Sequence, residues 1–186
     1  MRAIAPFILL LIVISGCRTE GGSASRPTNG AAPLSFDLLP FTASTAAFSD
    51  LGDALPRILR VEPSADGSSA RLLLEGAGGP ARELRATRRG DAVFVSGGVD
   101  IGTELIRIGA HPGEAWESGG MHVTFDGWER VTLAAANYDA ARISTRRGPV
   151  GVQHVETWWF APGVGLVRLR SDHATLFVDE LVRSAP

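Results

Sequence analysis

Glu156-Thr-Trp-Trp-Phe-Ala-Pro-Gly-Val-Gly-Leu-Val167 is the stretch that decides the fold. Its first half is aromatic and β-branched, and a second apolar run resumes at Val164 and carries on to Ser171. Between them Pro162 presets φ at about −65°, and Gly163 accepts the positive φ that a type II turn demands of its third residue. Gly165 allows another backbone to approach closely. The stretch therefore reads as strand, corner, strand. Trp158 and Trp159 are neighbours on the first strand, so their rings face opposite sides, one into a core and one towards solvent or a partner.

Outward from this hairpin the same design repeats at about 8 to 12 residues, the spacing of an antiparallel meander or barrel. The sequence predicts strands over 58–61, 70–75, 81–88, 92–96, 104–108, 121–125, 128–133, 138–145, 151–160, 164–171 and 174–182. Arg89-Gly90-Asp91 turns one strand into the next. Asp126-Gly127 has the composition of a two-residue hairpin loop between 121–125 and 128–132. Helical periodicity is nowhere sustained, and Ser44-Thr-Ala-Ala-Phe-Ser-Asp-Leu51 reads either as one short helix or as an irregular lead-in. Alternation of polar and apolar residues is only partial in segments such as 174–182, as expected where a strand is covered on both faces. The expected fold is all-β: an antiparallel, strongly curved sheet or half-barrel meander, with room for one short helix.

The amino terminus fixes compartment. Arg2 is a positive n-region, Ala3 to Ile14 a short apolar h-region, and the whole is a signal-peptide layout too short to span a bilayer. Ile14-Ser-Gly-Cys17 resembles the lipobox of bacterial lipoproteins, which implies cleavage before Cys17 and acylation of its thiol and new amino group. At about 0.8 kcal/mol per buried CH₂, two or three chains anchor stably without a basic patch. Residues 18–33 contain no apolar side chain larger than Ala or Pro and form a flexible tether of roughly 20 to 25 Å. The chain thus divides into a signal (1–16), a lipidated Cys and tether (17–33) and a single β-rich domain (34–186). By the same resemblance, Arg18 in place of the Asp that signals inner-membrane retention favours the outer membrane. The expected location is the cell membrane or outer membrane, with the domain on the periplasmic or extracellular side.

Pro112-Gly-Glu-Ala-Trp116, Val131-Thr-Leu-Ala-Ala-Ala-Asn-Tyr-Asp-Ala-Ala-Arg-Ile143 and Glu156 to Val167 together resemble a family of uncharacterised bacterial secreted and lipoprotein β-domains. The family pieces read Pro-Gly-x-x-Trp, Val-x-Val-Pro-Ala-Gly-x-Tyr/Phe-x-Ala-x-x-Val and Trp-Tyr/Phe-Ala-Pro-Gly-Val-Gly-x-Val. The third matches nearly unchanged; the second departs at Ala134 and Ala136, where Pro and Gly are usual. The resemblance covers 110–182. It implies a sheet curled somewhat like the half-barrels of periplasmic lipoprotein carriers, and it brings no catalytic residues.

Composition narrows the function. All 18 basic residues are Arg, they are interleaved with 20 acidic ones, and the net charge is −2, which leaves no electrostatic footprint for nucleic acid. The sole cysteine is the one expected to carry lipid, so the domain relies on its core and not on a disulfide. Gly-x-Ser-x-Gly is absent, and without Lys there is no Ser-x-x-Lys. His111, His122, His154 and His173 lack the short spacing of zinc motifs, although a sheet could still bring His122, His154 and Glu156 or Asp126 together. Asp179 and Glu180 point to opposite faces of a strand and cannot act as a glycosidase pair. The expected protein is non-enzymatic, without cofactor or metal. It carries lipid on Cys17 and either binds an apolar, lipid-like ligand, with Trp158, Trp159 and Phe160 facing it, or serves as a structural or interaction module of the envelope with a filled core.

Overall fold

The computed structural model describes residues 32–50, 57–76, 82–97, 102–133, 136–148, 153–171 and 175–182. The signal, Cys17 and nearly all of the tether lie outside the described residues. Among the described residues twelve strands form one sheet: β1 (Ser44–Asp50), β2 (Arg57–Pro63), β3 (Ser69–Glu75), β4 (Arg82–Arg89), β5 (Ala92–Ser96), β6 (Thr103–Arg107), β7 (Ala115–Ser118), β8 (Met121–Thr132), β9 (Asn137–Arg147), β10 (His154–Ala161), β11 (Gly165–Ser171) and β12 (Thr175–Val182). Their order is β6-β5-β4-β3-β2-β1-β12-β11-β10-β9-β8-β7, antiparallel throughout. Every strand lies beside its chain neighbours except β6 and β7, and the last strand pairs with the first. This is an up-and-down barrel topology cut once, between β6 and β7.

A twisted sheet of this many strands curls rather than staying open. The curl is sharpened where the register shifts, at Ala47/Phe48, Val93/Phe94, Phe125/Gly127 and Trp159/Phe160, because a bulge bends its strand and increases the local twist.

Most expected strands stand within a few residues of their places, and the corners at Gly90 (φ 55°) and Gly163 (φ 71°) are turns in the left-handed region. Two expectations are corrected. Asp126-Gly127 is not a hairpin loop but a bulge inside the unbroken β8, whose two halves both pair with the long β9. The positive φ of Gly127 (130°) is used to bend the strand rather than to reverse it. Residues 44–50 are neither helix nor lead-in but β1, held by ladders on both sides. The local signal was weak because the inward residues beside Phe48 include only the small Ala46; tertiary pairing overrides propensity there. The short strand β7 was not foreseen, and among the described residues the one helical turn is a 3-10 turn at Phe36–Leu38.

That turn belongs to a plug. Leu34, Leu38, Leu39 and Phe41 are buried in the main core, closing one end of the curled sheet. The segment is fixed by backbone bonds of Leu34 to Gly109 and Ala110 (both 2.9 Å), by the Trp128 indole N–H donating to the Ala32 carbonyl (2.7 Å), and by the Gly163 N–H donating to the Asp37 carbonyl (2.8 Å). Arg88 lies over both Phe36 and Phe41, 5.3 and 4.5 Å from their ring centres. The plug packs against the Pro-Gly-Val-Gly corner, where a Cβ on Gly165 would meet Pro40 at an ordinary 3.6 Å; the φ of 97° is what reserves that position for glycine.

Gly163→Val should therefore destabilise the domain by about 1 to 3 kcal/mol, the scale of backbone strain for a β-branched residue at positive φ. Arg146→Ala, on an exposed strand position, should shift the melting temperature far less; equal shifts in thermal unfolding would refute the turn assignment.

Candidate functional site

From the plugged end to the other, the inner wall changes from apolar to polar along each strand. On β10 the inward residues run Phe160, Trp158, Glu156, and on β9 Ala141, Ile143, Thr145, Arg147. Leu84 of β4, Val95 of β5, Leu105 of β6 and Met121 of β8 continue the apolar zone. They line a half-open cavity of about 690 Å³ that reaches the surface among the exposed Gly97, Gly119 and Arg147. That volume lies within the range of small-molecule sites, and apolar walls with a few convergent polar groups are their usual lining.

Trp158 forms part of the floor. Its ring is parallel to that of Phe160 with centres 6.2 Å apart, and it separates the main cavity from a deeper void of about 60 Å³ lined by Phe48, Leu72, Phe160 and Leu166. The Trp158 indole N–H is buried and has no acceptor among the described residues. A buried unpaired donor costs about 1 to 3 kcal/mol, which the packing of the ring has to offset. At the rim, His154 Nε2 stands 3.4 Å from the Glu156 carboxylate, which is only 14 % exposed.

The break between β6 and β7 borders this cavity. Instead of a ladder, two side-chain bonds cross it: the Glu104 N–H donates to Ser118 Oγ (2.8 Å), and the Trp116 indole N–H donates to the Glu104 carbonyl (2.7 Å). The Glu104 carboxylate holds Arg107 (2.6 Å), whose guanidinium lies 4.9 Å from the Trp116 ring centre. Accepting from Arg107 in this way, Glu104 raises the guanidinium above its ordinary range, with burial opposing. Nearer the mouth Gly119 comes so close that a Cβ there would stand 3.0 Å from the Gly102 carbonyl and from Thr103 Oγ1.

The three aromatic residues expected to face a ligand are not equivalent. Trp158 floors the cavity, and Phe160 sits deeper, 2 % exposed. Trp159 is on the outer face, where its indole N–H donates to Glu129 and Arg168 lies 4.7 Å from its ring centre. The adjacent ring in a strand had to point the other way: of the three, Trp158 lines the main cavity, Phe160 lines the deeper void, and Trp159 lines the groove on the other face. His122 and Asp126 are also outside: His122 pairs with Glu117 (2.7 Å), and Asp126 takes Arg142 (3.3 Å) and the Ser144 hydroxyl. They do not converge with His154 and Glu156, and among the described residues no group of three or more His, Cys, Asp or Glu could hold a metal ion. Cys17 lies outside the described residues. What the sequence did not single out is the other wall, Leu84, Val95, Leu105 and Met121, which becomes legible only once the strand order sets β4 to β6 opposite β10.

No family model matches the chain, and no curated protein does. It is similar to a solved structure described as a candidate lipoprotein from Parabacteroides distasonis, at 12 % identity over 77 % of this chain and 97 % of that one, with a TM-score of 0.45. It is also similar to a candidate exported protein with a YmcC-like fold from Bacteroides fragilis, at 12 % identity over 78 % and 99 %, with a TM-score of 0.47.

Trp116 and Trp158 allow one chemical change to be read twice. Trp116→Phe strands the Glu104 carbonyl and should lower stability by about 1 to 3 kcal/mol. Trp158→Phe removes a donor that has no partner, so relief of its desolvation offsets the lost volume and the net change should stay within about 1 kcal/mol. Urea midpoints measure both; a larger loss for Trp158→Phe would contradict the assignment.

Proposed function

We propose that this is a lipid-anchored protein of the bacterial envelope that binds an apolar or amphiphilic molecule in the mouth of its curled sheet and performs no chemistry on it. The observation that carries the reading is the cavity of about 690 Å³ with apolar walls and a polar rim. Its polarity runs the right way for an amphiphile, tail against Leu84, Val95 and Leu105 and head beside Glu156, His154 and Arg147. Anchoring is supported by the signal layout and by Cys17 in its lipobox-like context.

The interaction-module reading draws on the outer face of β9 to β11, where a groove of about 680 Å³ carries Arg146 and Arg170 beside Ser144, Thr157 and Ser171. A solvated outer face of a sheet has the same composition, and the core opposite contains a cavity, so ligand binding is preferred.

The test uses the chain from residue 17 with Cys17→Ser, exported and purified without detergent. Native mass spectrometry should show co-purifying mass that Val95→Trp, which fills the cavity, removes. Apo mass for both proteins, with no tryptophan response to fatty acids, would overturn the ligand reading. Separately, wild-type protein should take up a labelled fatty acid in cells and Cys17→Ala should not; no label on a soluble wild type would overturn the anchor.

A further inference from the structure

Resting on that reading, we infer that Trp158 is the specificity-determining residue of the cavity: its indole sets how deep the apolar tail of a ligand can reach, and so selects amphiphiles by tail length. The cavity and the deeper void share four wall residues, Leu84, Val95, Leu105 and Trp158. Three of them are aliphatic side chains on β4, β5 and β6. The fourth is the largest, comes from β10 on the opposite wall, and forms the partition between the two spaces. Its residue is 8 % exposed, and its ring lies parallel to that of Phe160 behind it. A ring packed in this way is held in one rotamer. Beyond it lies unfilled space lined by Phe48, Leu72, Phe160 and Leu166, and such space forfeits packing contacts that a chain would restore.

Polarity fixes which end of a ligand meets the indole. Arg147, His154 and Glu156 stand towards the mouth, whereas among the described residues the void has one polar side chain, Ser44. A polar head taken past Trp158 would lose its hydration with almost nothing to replace it. The head therefore stays at the mouth and the tail points inwards. Depth is measured along β10, whose inward residues Glu156, Trp158 and Phe160 are each two apart, a step of about 6.8 Å. A tail that passes Glu156 meets the indole within one step. Without the indole it runs one step further, to Phe160. Each methylene moved from water onto an apolar wall is worth about 0.8 kcal/mol, about fourfold in affinity. Affinity should thus rise with tail length until the tail reaches Trp158, and then level off.

The test offers an equimolar mixture of saturated fatty acids, even-numbered from decanoate to stearate, to the parent chain, which begins at residue 17 and carries Cys17→Ser. Unbound acid is removed by gel filtration, and the acids that stay with the protein are extracted and quantified by mass spectrometry. In the parent chain retention should stop rising at a length inside the series. Trp158→Ala should move that limit about two carbons longer or more, with the first acid beyond the parent's limit retained about fifteenfold better than the acid at it. Leu166→Ala, which enlarges the void but leaves the partition, should keep the parent's limit. Circular dichroism checks that each variant is folded, and Trp158→Leu replaces Trp158→Ala if the alanine variant is not. The same limit in the parent and in Trp158→Ala would overturn the assignment, as would a shift by Leu166→Ala equal to that of Trp158→Ala. Retention that climbs through the whole series in the parent would overturn it too. No acid retained by the parent chain would overturn the cavity reading itself, and this inference with it.

Discussion

Between Glu104 of β6 and the side chains of Trp116 and Ser118 run the two hydrogen bonds that turn a twelve-stranded sheet into an enclosure. A free sheet edge presents unpaired N–H and C=O groups and invites association with another chain. Here the two edges meet each other, and one residue has both backbone groups satisfied by side chains. Each such bond contributes about 0.5 to 1.5 kcal/mol net, and the Arg107–Trp116 contact adds about 0.5 to 1 kcal/mol. The seam is thus held by a few kcal/mol, while each neighbouring strand pair is held by a full ladder and its cross-strand contacts. The sheet has one weak line, and it runs beside the cavity.

The two ends of the enclosure differ because the sequence supplies a plug for only one of them. Leu34, Leu38, Leu39 and Phe41 complete the core at the end where Gly163 and Gly165 receive the incoming chain. At the other end the inner wall changes to Thr145, Glu156, His154 and Arg147, residues that would be costly to bury against a further apolar layer. The cavity lies where these two zones meet, and Trp158 stands at the boundary with its N–H unpaired.

How much of this was legible depended on whether the signal was local. The Pro162-Gly163 and Gly90 corners were readable because a positive φ leaves a specific residue type behind. The opposed faces of Trp158 and Trp159 followed from strand periodicity alone, yet periodicity could not say which ring was inside. Asp126-Gly127 misled because a bulge and a hairpin loop draw on the same residues, and only the length of the facing β9 decides between them. Strand β7 is four residues long and was hidden within a Gly- and Glu-rich stretch. The cavity wall was out of reach for a different reason: Leu84, Leu105 and Trp158 are brought together by strand order, a non-local property that no window of sequence contains.

Amide hydrogen exchange resolved by residue tests the weak seam most directly. Under native conditions the Glu104 amide, bonded only to the Ser118 hydroxyl, should exchange through a local opening of much lower free energy than the Ile143 amide, which sits in the β8–β9–β10 ladders and should need global unfolding. Addition of palmitate should slow Glu104 and leave Ile143 unchanged. If Glu104 exchanges as slowly as Ile143 in the free protein, β6 and β7 are not a line of weakness, and the account of an enclosure closed by side chains is contradicted.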